Sequence, residues 1–282
     1  MEIFKEIGPL RAYLRSKRRS TFSVGLVPTM GALHNGHLRL IKESKVENDL
    51  TVCSIYVNPT QFNNASDLAK YPRLLEKDSK LLDQSGCDVL FAPENTSMYE
   101  APSELKLDFG QLDKILEGKF RPGHFSGVGL VVSKLFNIVK PDVAYFGQKD
   151  FQQFAIISRL NEELLFGISL KAISIVREED GLAMSSRNLR LNAEERDRAI
   201  IFYQALLHTK KVLAEGKEWK EIEGEVKIMC EALPGVKLEY ISLADQKNLN
   251  PLNNVTSSSQ AVILIAGYVG EVRLIDNILL DE

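Results

Sequence analysis

The sequence predicts an α/β protein in which a doubly wound parallel sheet is followed by a smaller α+β domain. Segments with helical periodicity alternate with short apolar, β-branched runs that end in turn residues, as buried parallel strands do: residues 21–29, 50–57, 87–93, 141–147 and 168–176. After residue 176 this alternation stops, and two helical segments precede three strand segments. We therefore predict a Rossmann-like domain at residues 1–176 and an α+β domain at residues 177–282 that closes over the site.

Two helical segments of the first domain are clear from their spacing. Residues 67–84 predict one amphipathic helix whose apolar side carries Leu68, Tyr71, Leu74, Leu75 and Leu81. Residues 128–139 predict a second helix, which Pro141 stops.

The second domain begins with a helix signal. Asn192 and Glu195 resemble a capping box, which predicts one long helix through residues 193–216. Another helix is predicted at about 218–233, and the last two strands are joined by a tight turn near Gly270. The serines at 257–259 predict a surface turn.

Composition and charge exclude several classes of function. The 282 residues are 44% apolar and 26% charged, and their net charge of −3 creates no large positive field for nucleic acid. The longest apolar stretch, residues 261–270, is too short to cross a bilayer. Three cysteines without a C-x-x-C pair suit a reducing compartment. We expect a cytoplasmic protein that binds small molecules, with no nucleic-acid or membrane partner.

The first candidate site is the segment VPTMGALHNGHLRLI, where a strand gives way to a helix. A helix N-terminus presents unpaired N–H groups and the positive end of the helix dipole, and His34 and His37 share one face there. This arrangement is typical of phosphate binding. The alternative is that one histidine caps the helix while the other packs.

The second candidate site is DVAYFGQKDFQQ, which follows the strand that ends at Gly147. Lys149 would contact a phosphate as a point charge, and nearby amides suit a polar substrate: Gln148, Gln152 and Gln153. Parallel sheets bind ligands at this edge. A polar loop with Asp150 as a helix cap explains the residues equally well.

The third candidate site, VREEDGLAMSSRNLRL, lies at the predicted domain junction. Glycine, serine and asparagine make the loop polar and flexible, and Arg187 adds a phosphate donor. Such a loop is well placed to close over a ligand, although it also fits a plain linker. Four further residues offer donors for a carboxylate or phosphate, with turn chemistry as the alternative: Asn58, Gln61, Arg121 and His124.

Motifs that are missing narrow the chemistry further. The sequence has no G-x-G-x-x-G, Walker A or H-E-x-x-H motif. It also has no G-x-S-x-G element, so covalent catalysis is disfavoured.

In combination, these motifs resemble a known family. PTMGALHNGHLRLI is similar to the HIGH-type signature of the nucleotidyltransferase superfamily, and AMSSRN is similar to its KMSKS-like loop. These two alone also fit adenylyltransferases, cytidylyltransferases and class I aminoacyl-tRNA synthetases. Further segments extend the resemblance to the pantoate–β-alanine ligase family over residues 20–191: YVNPTQF, YPR, GKFRPGHFSGV and YFGQKDFQQ.

The resemblance implies which residues form the site. The implied catalytic residues are His34, His37, Lys149, Ser185, Ser186 and Arg187, with His37 as proton donor. ATP would be bound by Met30, Gly31, Ala32, Leu33, His34, Asn35, Gly36, His37, Gly147, Gln148, Lys149, Asp150, Val176, Met184, Ser185, Ser186 and Arg187. The pantoate pocket would contain Gln61 and Gln153, together with Asn58, Tyr71, Arg121 and His124.

The resemblance also implies a reaction. ATP, with Mg²⁺, would drive condensation of (R)-pantoate with β-alanine to pantothenate, on the route to coenzyme A, through a pantoyl adenylate. AMP and pyrophosphate would be released, and the enzyme would be a cytoplasmic homodimer; the metal ligands stay unassigned. Two other functions fit the same histidines: a sugar- or lipid-linked nucleotidyltransferase, which leaves the nucleotide in its product, and a nucleotide sensor without turnover.

Overall fold

The protein is described by a computed structural model that covers residues 1–18, 21–63, 65–255 and 260–281. The chain divides into two compact units. The first comprises Met1–Gln148 and Gln152–Ser174, and the second comprises Lys149–Phe151 and Ile175–Glu282. The domain boundary after residue 176 stays a prediction. The serine turn at 257–259 lies outside the described residues.

The first unit is built on a six-stranded sheet in the order β1-β4-β3-β2-β5-β6, with parallel pairs throughout. Its strands are β1 (Glu2–Phe4), β2 (Val24–Thr29), β3 (Leu50–Ile55), β4 (Val89–Phe91), β5 (Val143–Gly147) and β6 (Ser169–Ile173). The fold class is confirmed; among the strands that the structure describes in this sheet, β1, three residues long, was not predicted. Because the strand order reverses between β2 and β5, the carboxyl ends of these two strands flank the position where open α/β sheets bind ligands.

Helices pack on this sheet, and its four central strands, β4, β3, β2 and β5, are mostly buried. The helices are α1 (Ile7–Lys17), α2 (Asn35–Glu47), α3 (Ala65–Lys70), α4 (Leu75–Gln84), α5 (Asn95–Met98), α6 (Glu117–Phe120), α7 (His124–Val139) and α8 (Phe151–Glu163). Neighbouring residues of one strand enter different apolar clusters, as for Leu26 and Val27. The single helix predicted at 67–84 is wrong: α3 and α4 are separate helices because Pro72 disfavours helical backbone at Tyr71.

The second unit combines a three-stranded antiparallel sheet, in the order β7-β8-β9, with helices. Its elements are α9 (Ala193–Arg198), α10 (Ile201–Ala214), α11 (Trp219–Glu231), β7 (Val236–Asp245), β8 (Ala261–Val269) and β9 (Val272–Leu279). The capping box is confirmed: the Glu195 N–H donates to the Asn192 side chain at 2.9 Å, and Glu195 accepts from the Asn192 N–H at 3.0 Å.

One helix of this unit differs from the prediction. The long helix expected over 193–216 is interrupted at Ala199 and Ile200. Their ψ angles of −22° and −23° are those of a 3₁₀ turn, so the segment tightens locally without changing direction abruptly. Among the helices that the structure describes, none has both the length and the hydropathy needed to cross a membrane.

Candidate active site

The turn that follows β2 is held by a buried carboxylate. Asp78, which is 1% exposed, accepts the Ala32 N–H at 2.8 Å and the Leu33 N–H at 2.9 Å. Ala32 has a φ of 51°, a backbone conformation that costs a non-glycine residue about 1–2 kcal/mol. Asp78 therefore stabilises a strained turn that leads directly into α2.

Sequence reasoning missed Asp78, although a weak signal was present. The residue is one of two buried positions of α4, and the other, Leu82, lies four residues later on the same face. An acidic residue on the apolar face of an amphipathic helix needs a partner, and this pattern predicts that a partner exists. It does not say that the partner is a backbone turn 46 positions earlier in the chain.

His34 and His37 form the N-terminal cap of α2. The His34 ring accepts the Gly36 N–H through Nδ1 at 3.2 Å, and the His37 ring accepts the His34 N–H through Nδ1 at 3.3 Å. The two ring centroids are 4.1 Å apart. Both rings therefore cap the helix, whereas the alternative interpretation assigned capping to one histidine and packing to the other.

This capping also determines the chemistry of the two rings. An N–H donates only to a ring nitrogen that carries a lone pair, so the neutral form of each ring has its proton on Nε2. Each ring can therefore donate from Nε2 while Nδ1 serves the helix. Capping and anion binding are compatible functions of the same side chain.

A buried group of polar side chains lies beside the same turn. The Gln61 amide donates to the Met30 sulfur at 2.8 Å and accepts from Asn58 at 3.2 Å. Asn58 also donates to the Gly127 carbonyl at 3.1 Å. His124 Nδ1 lies 2.8 Å from the backbone carbonyl oxygen of Gln61. A carbonyl oxygen only accepts, so Nδ1 of His124 carries the proton.

Close approach of two backbones makes this group possible. A methyl group on Gly127 would lie 2.3 Å from the Thr60 carbonyl oxygen, so only glycine lets α7 contact the turn that carries Gln61. In this group, the predicted site residues Met30 and Gln61 are in direct contact, and Asn58 and His124 both contact Gln61.

The other predicted pocket residues of the first unit have more varied surroundings. The ring of Tyr71 is buried and packs edge-on against Phe62, with centroids 5.7 Å apart. Arg121 lies 4.0 Å from the buried carboxylate of Glu117. Gln153 is half-buried on α8.

The Gln152 side chain binds backbone groups of the protein. It was expected to offer its amide to a substrate, together with Gln148 and Gln153. Instead, it accepts the Glu117 N–H at 2.9 Å and donates to the carbonyls of Leu112 and Ile115 at 2.7 and 2.9 Å. This buried amide holds the backbone of residues 112–117.

The segment Gly147–Asp150 leaves the end of β5 through a 3₁₀ turn. Gln148 is buried in the first unit, whereas Lys149 belongs to the second unit and is half-buried. Asp150 is exposed.

The AMSSRN segment of the second unit follows a small hairpin. The Met184 N–H donates to the Val176 carbonyl at 3.0 Å, and Arg177 pairs with Ala183. Gly181, at the turn, has a φ of 96° and lies so close to the Tyr203 ring that a methyl group there would approach it to 2.2 Å.

After this hairpin, the residues become less buried. Ser185 caps the 3₁₀ helix Ser186–Arg190 by accepting the Arg187 N–H at 3.2 Å. The side chains from Met184 to Asn188 are half-buried, in contrast to Leu182 and Ala183, which are buried. The loop therefore has a fixed base and an accessible end.

All three cysteines, Cys53, Cys87 and Cys230, are buried. Burial raises the pKa of Cys87 and of Cys230 to about 11 and also raises that of Cys53. The described residues contain no group of three or more His, Cys, Asp or Glu side chains that could hold a metal ion.

Fold and site together define a class: an α/β protein with a HIGH-type, histidine-capped helix at the carboxyl edge of a parallel sheet. The family described as pantoate-beta-alanine ligase matches residues 2–279. The chain belongs to the pantoate–β-alanine ligase family and is a ligase.

Similar proteins cover the whole chain. The pantothenate synthetase of Aquifex aeolicus is 46% identical over 277 residues, which are 98% of this chain and 97% of the relative. The crystal structure of pantothenate synthetase from Thermus thermophilus matches with a TM-score of 0.92 at 39% identity, covering 99% of each chain. A pantoate-beta-alanine ligase from Francisella tularensis, complexed with beta-gamma ATP and beta-alanine, matches with a TM-score of 0.82 at 36% identity, over 100% of this chain and 98% of that one.

Proposed function

We propose that this ligase joins (R)-pantoate to β-alanine in two steps, through a pantoyl adenylate. Family membership carries the overall reaction, the ATP-dependent ligation of pantoate and β-alanine. The observation that supports the residue assignment is the contact between Gln61 and Met30, since it joins the buried amide group to the turn that begins the histidine-capped helix.

In the first step, a pantoate carboxylate oxygen attacks the α-phosphorus of ATP, a new P–O bond forms, and pyrophosphate leaves. Both reactants are anions, so the protein must offset their repulsion with donors. His34 and His37 supply Nε2–H groups, and Lys149 and Arg187 supply positive charge. A single donor aimed at developing charge is worth about 2.7–4 kcal/mol in the transition state.

In the second step, the β-alanine amine attacks the acyl carbon of the adenylate, an amide bond forms, and AMP leaves. Neither step needs a covalent bond to the protein. Gln61 and Gln153, with Asn58 close by, supply amides that suit the hydroxyl and carboxylate groups of pantoate. Holding the reacting groups together contributes up to roughly 7–11 kcal/mol in well-oriented systems.

Mg²⁺ is proposed as part of the nucleotide substrate. Magnesium usually keeps several waters and binds one or two carboxylates plus substrate phosphates, and a dedicated protein cage is not needed. Both oxygens of Asp78 already accept backbone N–H groups, so this carboxylate is assigned to the turn. Bound Mg²⁺ would neutralise charge on the phosphates; every other task is assigned to the side chains above.

A product assay tests the overall proposal. The chain is incubated with ATP, Mg²⁺, pantoate and β-alanine, and we expect equal amounts of AMP, pyrophosphate and the amide. A product that retains the nucleotide would indicate a sugar- or lipid-linked transferase, and ATP binding without turnover would indicate a sensor.

The half-reaction tests the intermediate and the acid site. With pantoate and no β-alanine, the enzyme should exchange labelled pyrophosphate into ATP. Gln61→Ala and Gln153→Ala should impair this exchange, because a site built for a polar acid loses discrimination when its partners are removed. Gln84→Ala, at an exposed position, is the matched control. Exchange without pantoate would point to another acid.

A homodimer in the cytoplasm completes the proposal. Family resemblance supports both features. Light scattering at working concentrations should give about twice the 31.7 kDa of one chain; a monomer mass would contradict the dimer.

A further inference from the structure

Two buried polar residues lie next to each other on β9. Asp276 is 5% exposed and Asn277 is 1% exposed, although β9 is an edge strand of its sheet. Neighbouring residues of a strand point to opposite sides, so both sides of β9 bury a polar group at this point. Buried polar groups need partners, and the partners of this pair lie in two of the three segments proposed to contact phosphate, those that contain Lys149 and AMSSRN.

Asn277 contacts the first of these segments. Its Nδ2 donates to the backbone carbonyl of Lys149 at 3.0 Å, and both residues belong to the second unit. Lys149 lies in a single 3₁₀ turn, Gln148–Asp150. Such a short turn has few hydrogen bonds of its own, so an outside donor to its carbonyl restricts the peptide plane from which the lysine side chain projects.

Asp276 holds the base of the second segment. Its two oxygens accept from the Arg177 guanidinium at 2.6 and 3.0 Å. Arg177 also donates to the Gly181 carbonyl at 3.1 Å and to the Asn277 carbonyl at 3.2 Å, and it stacks 4.1 Å from the Tyr203 ring centroid. Arg177 thereby connects the first residues and the turn of the small hairpin to β9.

The charges in this region support one another. Burial raises the pKa of the Asp276 carboxyl, whereas Arg177 and the positive charge of Lys149 act in the opposite direction. Removing one partner of a buried ion pair strongly destabilises a protein. The pair of Arg177 and Asp276 is therefore expected to keep the hairpin attached to β9.

We propose that Asn277 is a positioning residue for the adenylation step, and that it acts through Lys149. Asp276, its neighbour, holds the base of the AMSSRN hairpin through Arg177, so one dipeptide of β9 anchors two of the three segments proposed to contact phosphate. The proposal rests on the proposed function, because it takes Lys149 as a phosphate donor.

A double-mutant cycle tests whether Asn277 acts through Lys149. Asn277→Leu has nearly the same side-chain volume and cannot donate. It should lower the rate of pantoate-dependent pyrophosphate exchange about three- to tenfold, as loss of one hydrogen bond does, with little change in the KM for pantoate. In a Lys149→Ala background, the same substitution should cause no further loss. Losses that multiply in the double variant would overturn the proposal.

A matched control separates positioning from stability. Asn161 also uses its amide to bind a backbone carbonyl, that of Ile168, at 2.9 Å. Asn161→Leu should lower the thermal stability to a similar extent but should leave the exchange rate unchanged, both in the wild-type and in the Lys149→Ala background. A loss of exchange rate in Asn161→Leu that matches the loss in Asn277→Leu would assign Asn277 a structural role only.

A second measurement does not depend on activity. Backbone amide hydrogen exchange in peptides that span residues 147–152 should become several-fold faster in Asn277→Leu and stay unchanged in Asn161→Leu. Unchanged exchange in Asn277→Leu would overturn the inference whatever the enzyme activity. An inactive wild-type protein, or an unaffected Lys149→Ala variant, would contradict the proposed function or its lysine, so the two failures are distinguishable.

Discussion

Two of the segments proposed to contact phosphate, residues 30–37 and 176–188, are stabilised at different places. In residues 30–37, Asp78 binds the backbone of the turn itself, and both histidines are fixed by capping α2. In residues 176–188, Arg177 and Asp276 hold the base of a hairpin, and the residues from Met184 onward are half-buried. Each segment depends on a buried carboxylate, but only in the first does that carboxylate reach the functional turn.

This difference indicates two mechanical roles. A turn whose backbone is held by a buried carboxylate and whose helix is capped by two side chains is preorganised, and binding a ligand costs it little ordering. A loop that is anchored through the hairpin at residues 177–183 keeps freedom in the residues that follow it, which a closing loop requires. The following predictions test this contrast.

The largest effect is expected for the proposed donors. His34→Ala, His37→Ala and Lys149→Ala should each lower the single-turnover adenylation rate by about a hundredfold or more, as loss of a transition-state contact does. His208→Ala, which removes a histidine that pairs with Glu225 on the second unit, is the control. Near-native rates in all three variants would contradict the donor assignment.

A smaller effect is expected when the support of the first turn is weakened. Asp78→Asn replaces one of the two acceptors with a donor that faces a backbone N–H. We expect a loss of about 1–3 kcal/mol in the free energy of unfolding and an adenylation rate at least about tenfold lower, because the histidines lose their fixed position.

Two further variants show whether that result comes from the lost support of the turn. Asp83→Asn changes an acid of the same helix whose carboxyl pairs with the chain N-terminus and is 65% exposed, and it should behave as the wild type. Adding Ala32→Gly to Asp78→Asn should restore part of the stability, since glycine adopts the positive φ without strain. A rate that falls without any change in stability would instead indicate a direct role of Asp78.

The second segment should respond to nucleotide, whereas the first should not. Limited proteolysis is expected to cut near residues 180–190 in the free enzyme, and ATP with Mg²⁺ should slow this cleavage several-fold. Residues 30–37 should resist cleavage in both conditions. Equal cleavage of the hairpin with and without nucleotide would show that it is a passive linker.

The smallest effect is expected for the thiols. With a pKa of about 11, Cys87 and Cys230 have about one thiol in a thousand ionised at pH 8, and burial raises the pKa of Cys53 as well. The native protein should therefore react negligibly with a thiol reagent at pH 8, and reactivity should rise with pH. In denaturant, all three thiols should react.

Replacement of the cysteines by alanine completes this test. Activity should survive wherever packing does. A pantoyl thioester or ester that stays on the denatured protein would overturn the noncovalent mechanism.

Local patterns in the sequence determined much of this protein. The parallel strands of the first unit, the α+β character of the second and the cap at Asn192 follow from periodicity and neighbouring residues, which act over a few positions. The HIGH-type and AMSSRN segments were recognised from the sequence because each is a short run of neighbouring residues. The helix interruption at Pro72 was readable too, because proline restricts the residue before it.

Only the tertiary structure decided which residues support the site. The bond from Ala32 to Asp78 spans 46 positions, and that from Asn277 to Lys149 spans 128. Gln152 was expected to face a substrate and instead holds backbone 35 positions away. A buried polar residue reveals in sequence that it needs a partner; which partner it finds depends on the packing of distant segments, and no local pattern records that.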